Sequence, residues 1–240
     1  MPISPSKKTV KVLITSASFG SPLPNNIVQQ ESDSLEITVN RISDNFAKLT
    51  TNGQVKSIAQ ANRLNAMHPR LRAKMPKMLQ WAEFPGYDYY IWVDSKLRMD
   101  NPKAAEALVE ACSGKDACFF RHSARASIQL ELNHVVDYLN QGSQYIIDRY
   151  SGEDMASQVS SYLADPNFID DSLFECGVFV YSSKVVQNPD LNLFKEWFYH
   201  NCIWSVQDQL SLPYLLQSFG INYGVLEGTV YKNKYLNLDS

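Results

Sequence analysis

No two cysteines in this sequence lie two to four residues apart. Cys112, Cys118, Cys176 and Cys202 are dispersed, which argues against a zinc knuckle or a redox dithiol motif and leaves a set of reduced, mostly buried thiols. Glycine and proline are scarce, 10 and 11 in 240 residues, so fibrous and low-complexity structure is excluded. An excess of basic charge is also missing. The chain carries 22 Lys plus Arg against 25 Asp plus Glu, a net charge of −3, and this gives no nucleic-acid footprint over the whole surface, leaving only a local basic groove open. Nor is there a long apolar run. The polar start Met1-Pro-Ile-Ser-Pro-Ser-Lys-Lys leads into Val10 to Thr15, too short for a signal h-region or a membrane span. These absences point to a soluble, cytoplasmic protein of a reducing compartment without a signal peptide. What is present is material for a core: 45% hydrophobic residues, with 11 Phe, 13 Tyr and 4 Trp. With no repeat, linker or composition shift, one domain over residues 1–240 is expected, residues 1–8 forming a flexible N-terminus.

The order of elements is legible from periodicity. Thr9 to Thr15 is a β-branched run that feeds a Ser/Pro/Asn-rich loop from Ser16 to Asn26, and Leu35 to Ile42 alternates strictly as a second strand. From Val55 to about Trp81 the apolar positions recur at three and four, with Pro76 marking a kink or break, so two helices are expected. Tyr87 to Asp94 reads as a strand buried on both faces. A helix from Pro102 to Ala111, a strand at Ala117 to Arg121 and a helical face through Ile128, Leu132, Val135, Val136 and Leu139 follow. After them come a helical pair from Ser143 to Leu163, a strand at Phe174 to Tyr181, helices at Leu191 to His200 and Ser205 to Ser218, and a last strand at Ile221 to Val225. Alternating strands and helices imply an α/β domain with a mainly parallel central sheet flanked by helices.

Two segments stand out chemically. Asp94 ends an apolar strand, and the carboxyl ends of central strands are where ligands bind in open α/β sheets. A carboxylate there needs a cation, a helix N-terminus or water, and a divalent ion carrying a diphosphate would satisfy it. A solvated strand end or a helix cap is the alternative. Upstream, His68 to Lys77 contains Arg70, Arg72, Lys74 and Lys77. Arg70 and Lys74 are one helical turn apart and can hold a phosphate from one face, the alternative being a solvated basic face.

The run from His68 to Asp100, with Arg-x-x-x-Lys, Phe84-Pro-Gly-Tyr-Asp and Tyr90-Ile-Trp-Val-Asp-Ser-Lys-Leu-Arg-Met, resembles glycosyltransferases of the GT-A type. It is similar in particular to a loosely characterised group in bacteria, plants and large viruses that carries a Tyr-Asp-x-x-x-Trp-(Ile/Val)-Asp strand. Three further matches follow in order: His-x-x-Arg at His122 and Arg125 with Glu131 beyond, Glu-x-Gly at Glu175 to Gly177, and an Asp-Gln helix at Asp208-Gln209. The resemblance spans roughly residues 10–215. It implies a Rossmann-like GT-A domain that moves a sugar from a nucleoside-diphosphate donor to an acceptor hydroxyl of a glycan. A catalytically silent nucleotide- or carbohydrate-binding module of the same fold is the second reading.

By the resemblance, Asp94 binds a divalent metal, Mn²⁺ or Mg²⁺, that bridges the donor diphosphate. The usual Asp-x-Asp is absent, because Lys96 stands at the third place. An ammonium there can neutralise diphosphate directly or point into solvent, so a weakly held metal is expected. Sugar transfer needs a carboxylate to deprotonate the acceptor or a group on the donor face. Asp208 is the favoured base, with Glu175 contacting sugar or acceptor. The alternatives are a helix N-terminal charge for Asp208 and an edge-strand charge for Glu175. His122 and Arg125 can stabilise the leaving diphosphate, though a lone histidine is more often simply a satisfied polar group. Trp92 is expected to pack in the core, and the Ser16 to Asn26 loop to hold base and ribose.

Overall fold

A computed structural model describes residues 9–19, 25–43, 47–50, 69–188 and 192–237. The expected flexible N-terminus, His68 and the helical stretch from Val55 up to residue 68 lie outside these residues. The strands are β1 (Val10–Ser18), β2 (Leu35–Ser43), β3 (Ala47–Thr50), β4 (Tyr89–Val93), β5 (Ala117–Arg121), β6 (Phe174–Ser182) and β7 (Tyr223–Leu226). They form one seven-stranded sheet in the order β3-β2-β1-β4-β6-β5-β7. β1 pairs in parallel with both β2 and β4, and β5 in parallel with β7, whereas β3 is antiparallel to β2 and β6 is antiparallel to both neighbours. Five strands therefore run one way, and only β3 and β6 run against them. The result is a mixed, mostly parallel sheet flanked by helices, a Rossmann-like arrangement.

Strand alternation sorts the core into two layers. On one face Leu13, Tyr90, Trp92, Phe119, Phe179 and Tyr181 pack against Phe194, Trp197 and Leu212. These partners belong to α7 (Leu193–Ile203) and α8 (Asp208–Ser218). On the other face Val12, Ile14, Ile91, Val93, Val178 and Val180 pack against Ala104, Ala105 and Leu108 of α3 (Ala104–Ala111) and against Val230 and Leu236. Burying side chains of this size stabilises by about 1.5–3 kcal/mol each. Two-sided burial explains why β4 and β6 read as unbroken apolar runs. A third cluster joins α4 (Ile128–Asn140), α5 (Gln144–Tyr150) and α6 (Met155–Leu163) to Leu210 of α8.

α1 (Pro69–Met78) runs through Pro76, and the interruption falls at Leu79, before α2 (Gln80–Glu83). Pro76 lacks the N–H that would reach back to the Arg72 carbonyl, yet Leu79 N still donates to Met75 O at 2.7 Å. The proline therefore marks the last turn of α1 and not its end.

Topology decides what meets at the ligand edge. β4 and β5 point the same way, so Asp94 and His122 leave the sheet at one end. β6 runs against them and starts there, with Phe120 opposite Glu175 and Arg121 opposite Phe174. The sequence alternative of an edge-strand charge for Glu175 does not hold, because β6 lies between β4 and β5.

Candidate active site

A cavity of about 490 Å³ opens at this end of the sheet, and all eight side chains selected from the sequence line it: Arg70, Lys74, Asp94, Lys96, His122, Arg125, Glu175 and Asp208. Lys77, Glu131 and Arg149 line it too. Six cationic side chains face four carboxylates among the described residues of the wall. The cavity thus carries two positive charges in excess in a chain whose net charge is −3, a local field that suits an anionic ligand.

At its floor Lys74 Nζ and Lys77 Nζ lie 2.6 and 2.7 Å from the same Asp208 carboxylate oxygen, with Lys77 also 3.5 Å from Asp94 Oδ1. Lys74 and Lys77 are three residues apart on α1 and share a face with Arg70. Asp208 is the first residue of α8, where the helix dipole favours a negative charge. Burial alone would raise the Asp208 carboxyl, but Lys74 and then Lys77 outweigh it and hold the carboxyl well below the usual range. For Lys77, burial works against the charge, and Asp208 with Asp94 outweighs it, so its ammonium is held above the ordinary lysine value. Lys74 falls the other way, lowered by burial that Asp208 only partly offsets. Asp208 is therefore fully ionised and charge-locked.

Asp94 is fixed from three directions. Trp92 Nε1 donates to its Oδ1 at 2.6 Å, so Trp92 combines a buried ring with a polar task. Its backbone N donates to Gly177 O at 2.8 Å, and Leu97 N returns to Asp94 O at 2.9 Å, closing a turn. Asn26 Nδ2 braces that turn at Asp94 O and Leu97 O, 3.1 and 2.8 Å away. Asn26, placed by the sequence in a nucleotide-holding loop, is buried in this supporting position. The glycine of Glu-x-Gly has a steric cause. A Cβ at Gly177 would sit 2.7 Å from Leu97 Cδ1 and 3.5 Å from Asp94 Oδ2.

Lys96 follows on the turn, exposed, with no ion-pair partner among the described residues. Arg70 Nη1 donates to Arg149 O at 2.7 Å, and its guanidinium lies 5.7 Å from the Tyr150 ring centre. The pair read from the sequence, Arg70 with Lys74, is thus divided between a wall and a buried carboxylate.

Glu175 is engaged through both oxygens. Oε1 accepts from Ser123 Oγ at 2.9 Å and Oε2 from Val230 N at 2.8 Å, so it ties the loop after β5 to the C-terminal segment. Arg125 pairs through Nε with Glu131 Oε2, while Gln207 Nε2 donates to Glu131 Oε1 at 2.7 Å and Tyr150 OH to Gln207 Oε1 at 2.9 Å. This chain of contacts spans the cavity. His122 Nδ1 faces the amides of Ala124 and Arg125 at 3.1 Å each, and burial followed by the Arg125 charge pushes the imidazole below its ordinary value.

Arg149 escaped the sequence reading and had no signal there. Lys77 and Glu131 were named, in the basic segment and as the acid beyond His-x-x-Arg, but were given no place in the site.

The donor set tests the expected metal. Among the described residues no three His, Cys, Asp or Glu side chains converge as a cation site. Asp94 has one oxygen taken by Trp92 and an ammonium 3.5 Å away. A divalent ion held by protein oxygens alone does not fit this arrangement.

Residues 33–227 match the family described as TOD1/MUCI70, glycosyltransferase-like domain. The chain belongs to that family. The matched stretch covers every lining residue discussed above except Val230, so most of the cavity belongs to the glycosyltransferase-like region. No curated protein matches the chain. Among the described residues no helix is long and apolar enough to cross a membrane. Of the four cysteines, Cys112, Cys118 and Cys176 are buried, Cys202 is exposed, and none is bridged.

Proposed function

We propose that this protein is a nucleotide-sugar-dependent glycosyltransferase of the GT-A type that transfers a sugar from a nucleoside diphosphate to an acceptor hydroxyl of a glycan. The observation that carries this reading is the pair of buried lysines on one carboxylate, at the carboxyl ends of the strands, inside a positive cavity. A donor diphosphate brings negative charge that competes with Asp208 for Lys74 and Lys77. As their ammonium groups turn to the phosphates, Asp208 regains proton affinity and can take the acceptor hydroxyl proton. Lys96 and Arg125 add charge to the departing diphosphate. Glu175 contributes by holding two cavity walls together. The neutralisation is assigned to these cations, and Asp94 holds Lys77 and the turn bearing Lys96.

Thermal shift with the uridine, guanosine, adenosine, cytidine and thymidine diphosphates, with and without Mn²⁺, tests donor binding. A diphosphate present at a hundred times its Kd stabilises by about 2.7 kcal/mol, which in a chain of this size raises Tm by roughly 5–11 °C. No shift with any of the five overturns the reading. The charge-locked Asp208 favours one alternative, a binding module that has kept the fold without turnover. Such a module binds the diphosphate but releases no sugar from the corresponding donor.

A further inference from the structure

Two large aromatic side chains on the cavity wall are left open to solvent. Tyr145 is 62% exposed and Tyr231 66% exposed, and both line the same cavity as Lys74, Lys77 and Asp208. Neither ring adds to the core. Their supports, by contrast, are well fixed.

Tyr231 sits on a tight turn in which Thr229 N donates to Lys232 O at 2.9 Å and Lys232 N returns to Thr229 O at 3.2 Å. Asn233 Nδ2 holds Thr229 O at 2.8 Å, and Val230, buried in the second core layer, donates through its N to Glu175 Oε2 at 2.8 Å. Gly228 makes the tightness possible. Its φ is +89°, and a Cβ there would lie 2.4 Å from Lys232 O. Tyr145 stands at the start of α5, with the Arg149 guanidinium 5.0 Å from its ring centre.

We propose that Tyr231 and Tyr145 form the acceptor subsite, taking a sugar ring of a glycan against an aromatic face. The assignment rests on the donor-site reading above. Rigid, two-torsion aromatic groups give contact area at low entropic cost, and a fixed backbone removes more of that cost before binding. A sugar presents an apolar C–H face that matches such a ring while its hydroxyls stay hydrated. The depth order fits an acceptor. The charged groups for a diphosphate are buried at the floor, whereas the tyrosines lie at the solvent side, where a second substrate enters after the donor and the lengthened product leaves.

The test uses an array of immobilised plant, bacterial and animal oligosaccharides, read with wild type, Tyr231→Ala, Tyr231→Phe and Tyr145→Ala, beside titration of the five nucleoside diphosphates. Wild type is expected to retain at least one oligosaccharide class. Each alanine variant should lose about tenfold or more in affinity for it, equivalent to about 1.4 kcal/mol, while Tyr231→Phe keeps it and the diphosphate affinities of all variants match wild type. Melting temperatures near wild type will show that the variants fold, as the exposure of both rings leads us to expect. No retained oligosaccharide, equal retention by the alanine variants, or a parallel loss of diphosphate affinity overturns the subsite, the last outcome assigning the rings to the donor base. Oligosaccharide binding lost in the alanine variants of a protein that binds no diphosphate would instead keep the subsite and overturn the donor reading.

Discussion

Replacing Asp208 by Asn removes the charge that two ammonium groups share at 2.6 and 2.7 Å. Lys74 and Lys77 are then left buried, with Asp94, 3.5 Å from Lys77, the remaining carboxylate paired with either among the described residues. Breaking a buried pair from one side costs about 3–5 kcal/mol, which for a chain of this length lowers Tm by roughly 6–20 °C. The pH dependence should change with it. Because the lysines depress the folded-state pKa of Asp208, its stabilisation is complete above the unfolded value of about 3.9 and is lost as pH falls through the folded value. Wild type therefore loses this contribution below about pH 4, and Asp208→Asn has none to lose. A second consequence separates an exchange of lysines from a static ion pair. In wild type a diphosphate must compete with Asp208, whereas in Asp208→Asn the lysines are available, so inorganic pyrophosphate should raise Tm more in the mutant. Differential scanning fluorimetry at pH 3–8, with and without pyrophosphate, measures all three effects. An equal pyrophosphate shift in both proteins would refute the exchange, and an unchanged Tm at pH 7 would refute the buried pair itself.

Three further outcomes follow from the same geometry. Because the chain turns after Asp94, Lys96→Asp sets a second carboxylate on that turn and should make donor hydrolysis depend on Mn²⁺, with Lys96→Ala intermediate; superimposable metal curves for all three proteins would mean that Lys96 only faces solvent. Gly177→Ala drives a Cβ to 2.7 Å from Leu97 Cδ1, an overpacking cost of about 1–3 kcal/mol, and should lower Tm while weakening diphosphate binding through the displaced Asp94 turn; a variant indistinguishable from wild type in both contradicts this. Lys77→Ala should weaken nucleoside diphosphate more than nucleoside in isothermal titration, since its task is charge. Equal losses would point to a packing defect.

Six of the seven described strands were legible because β-branched and aromatic runs that fill both faces of a sheet, such as Tyr89 to Val93, leave few other readings; the four-residue β3, Ala47–Thr50, carries no such run and was not read. Asp94 was legible as an acid at the end of an apolar strand, and Asp208 through the resemblance, as the acid of an Asp-Gln pair opening a helix. Sheet order was not. Nothing local in Phe174 to Ser182 says that it inserts antiparallel between β4 and β5, and that insertion converts Glu175 from an edge charge into the brace of two loops. Helix periodicity placed Arg70 and Lys74 on one face, but only tertiary packing, which sets α1 against α7 and beside the first residue of α8, decides that Lys74 and Lys77, not Arg70, meet Asp208. The contacts joining Arg125, Glu131, Gln207 and Tyr150 link residues up to 76 positions apart, beyond any local pattern. Tyr231 owes its place to a turn anchored on β6, which again is a tertiary fact.

The central claim is that this cavity turns over a nucleotide sugar. The most direct measurement is release of free sugar from the donor whose nucleoside diphosphate gives the largest thermal shift, compared between wild type and Asp208→Asn at equal donor occupancy. The account predicts slow hydrolysis by wild type and a rate lower by about 10²–10⁴-fold in the mutant, with donor still bound. Tight binding of the donor with no sugar released by wild type, or equal rates in the two proteins, would contradict it.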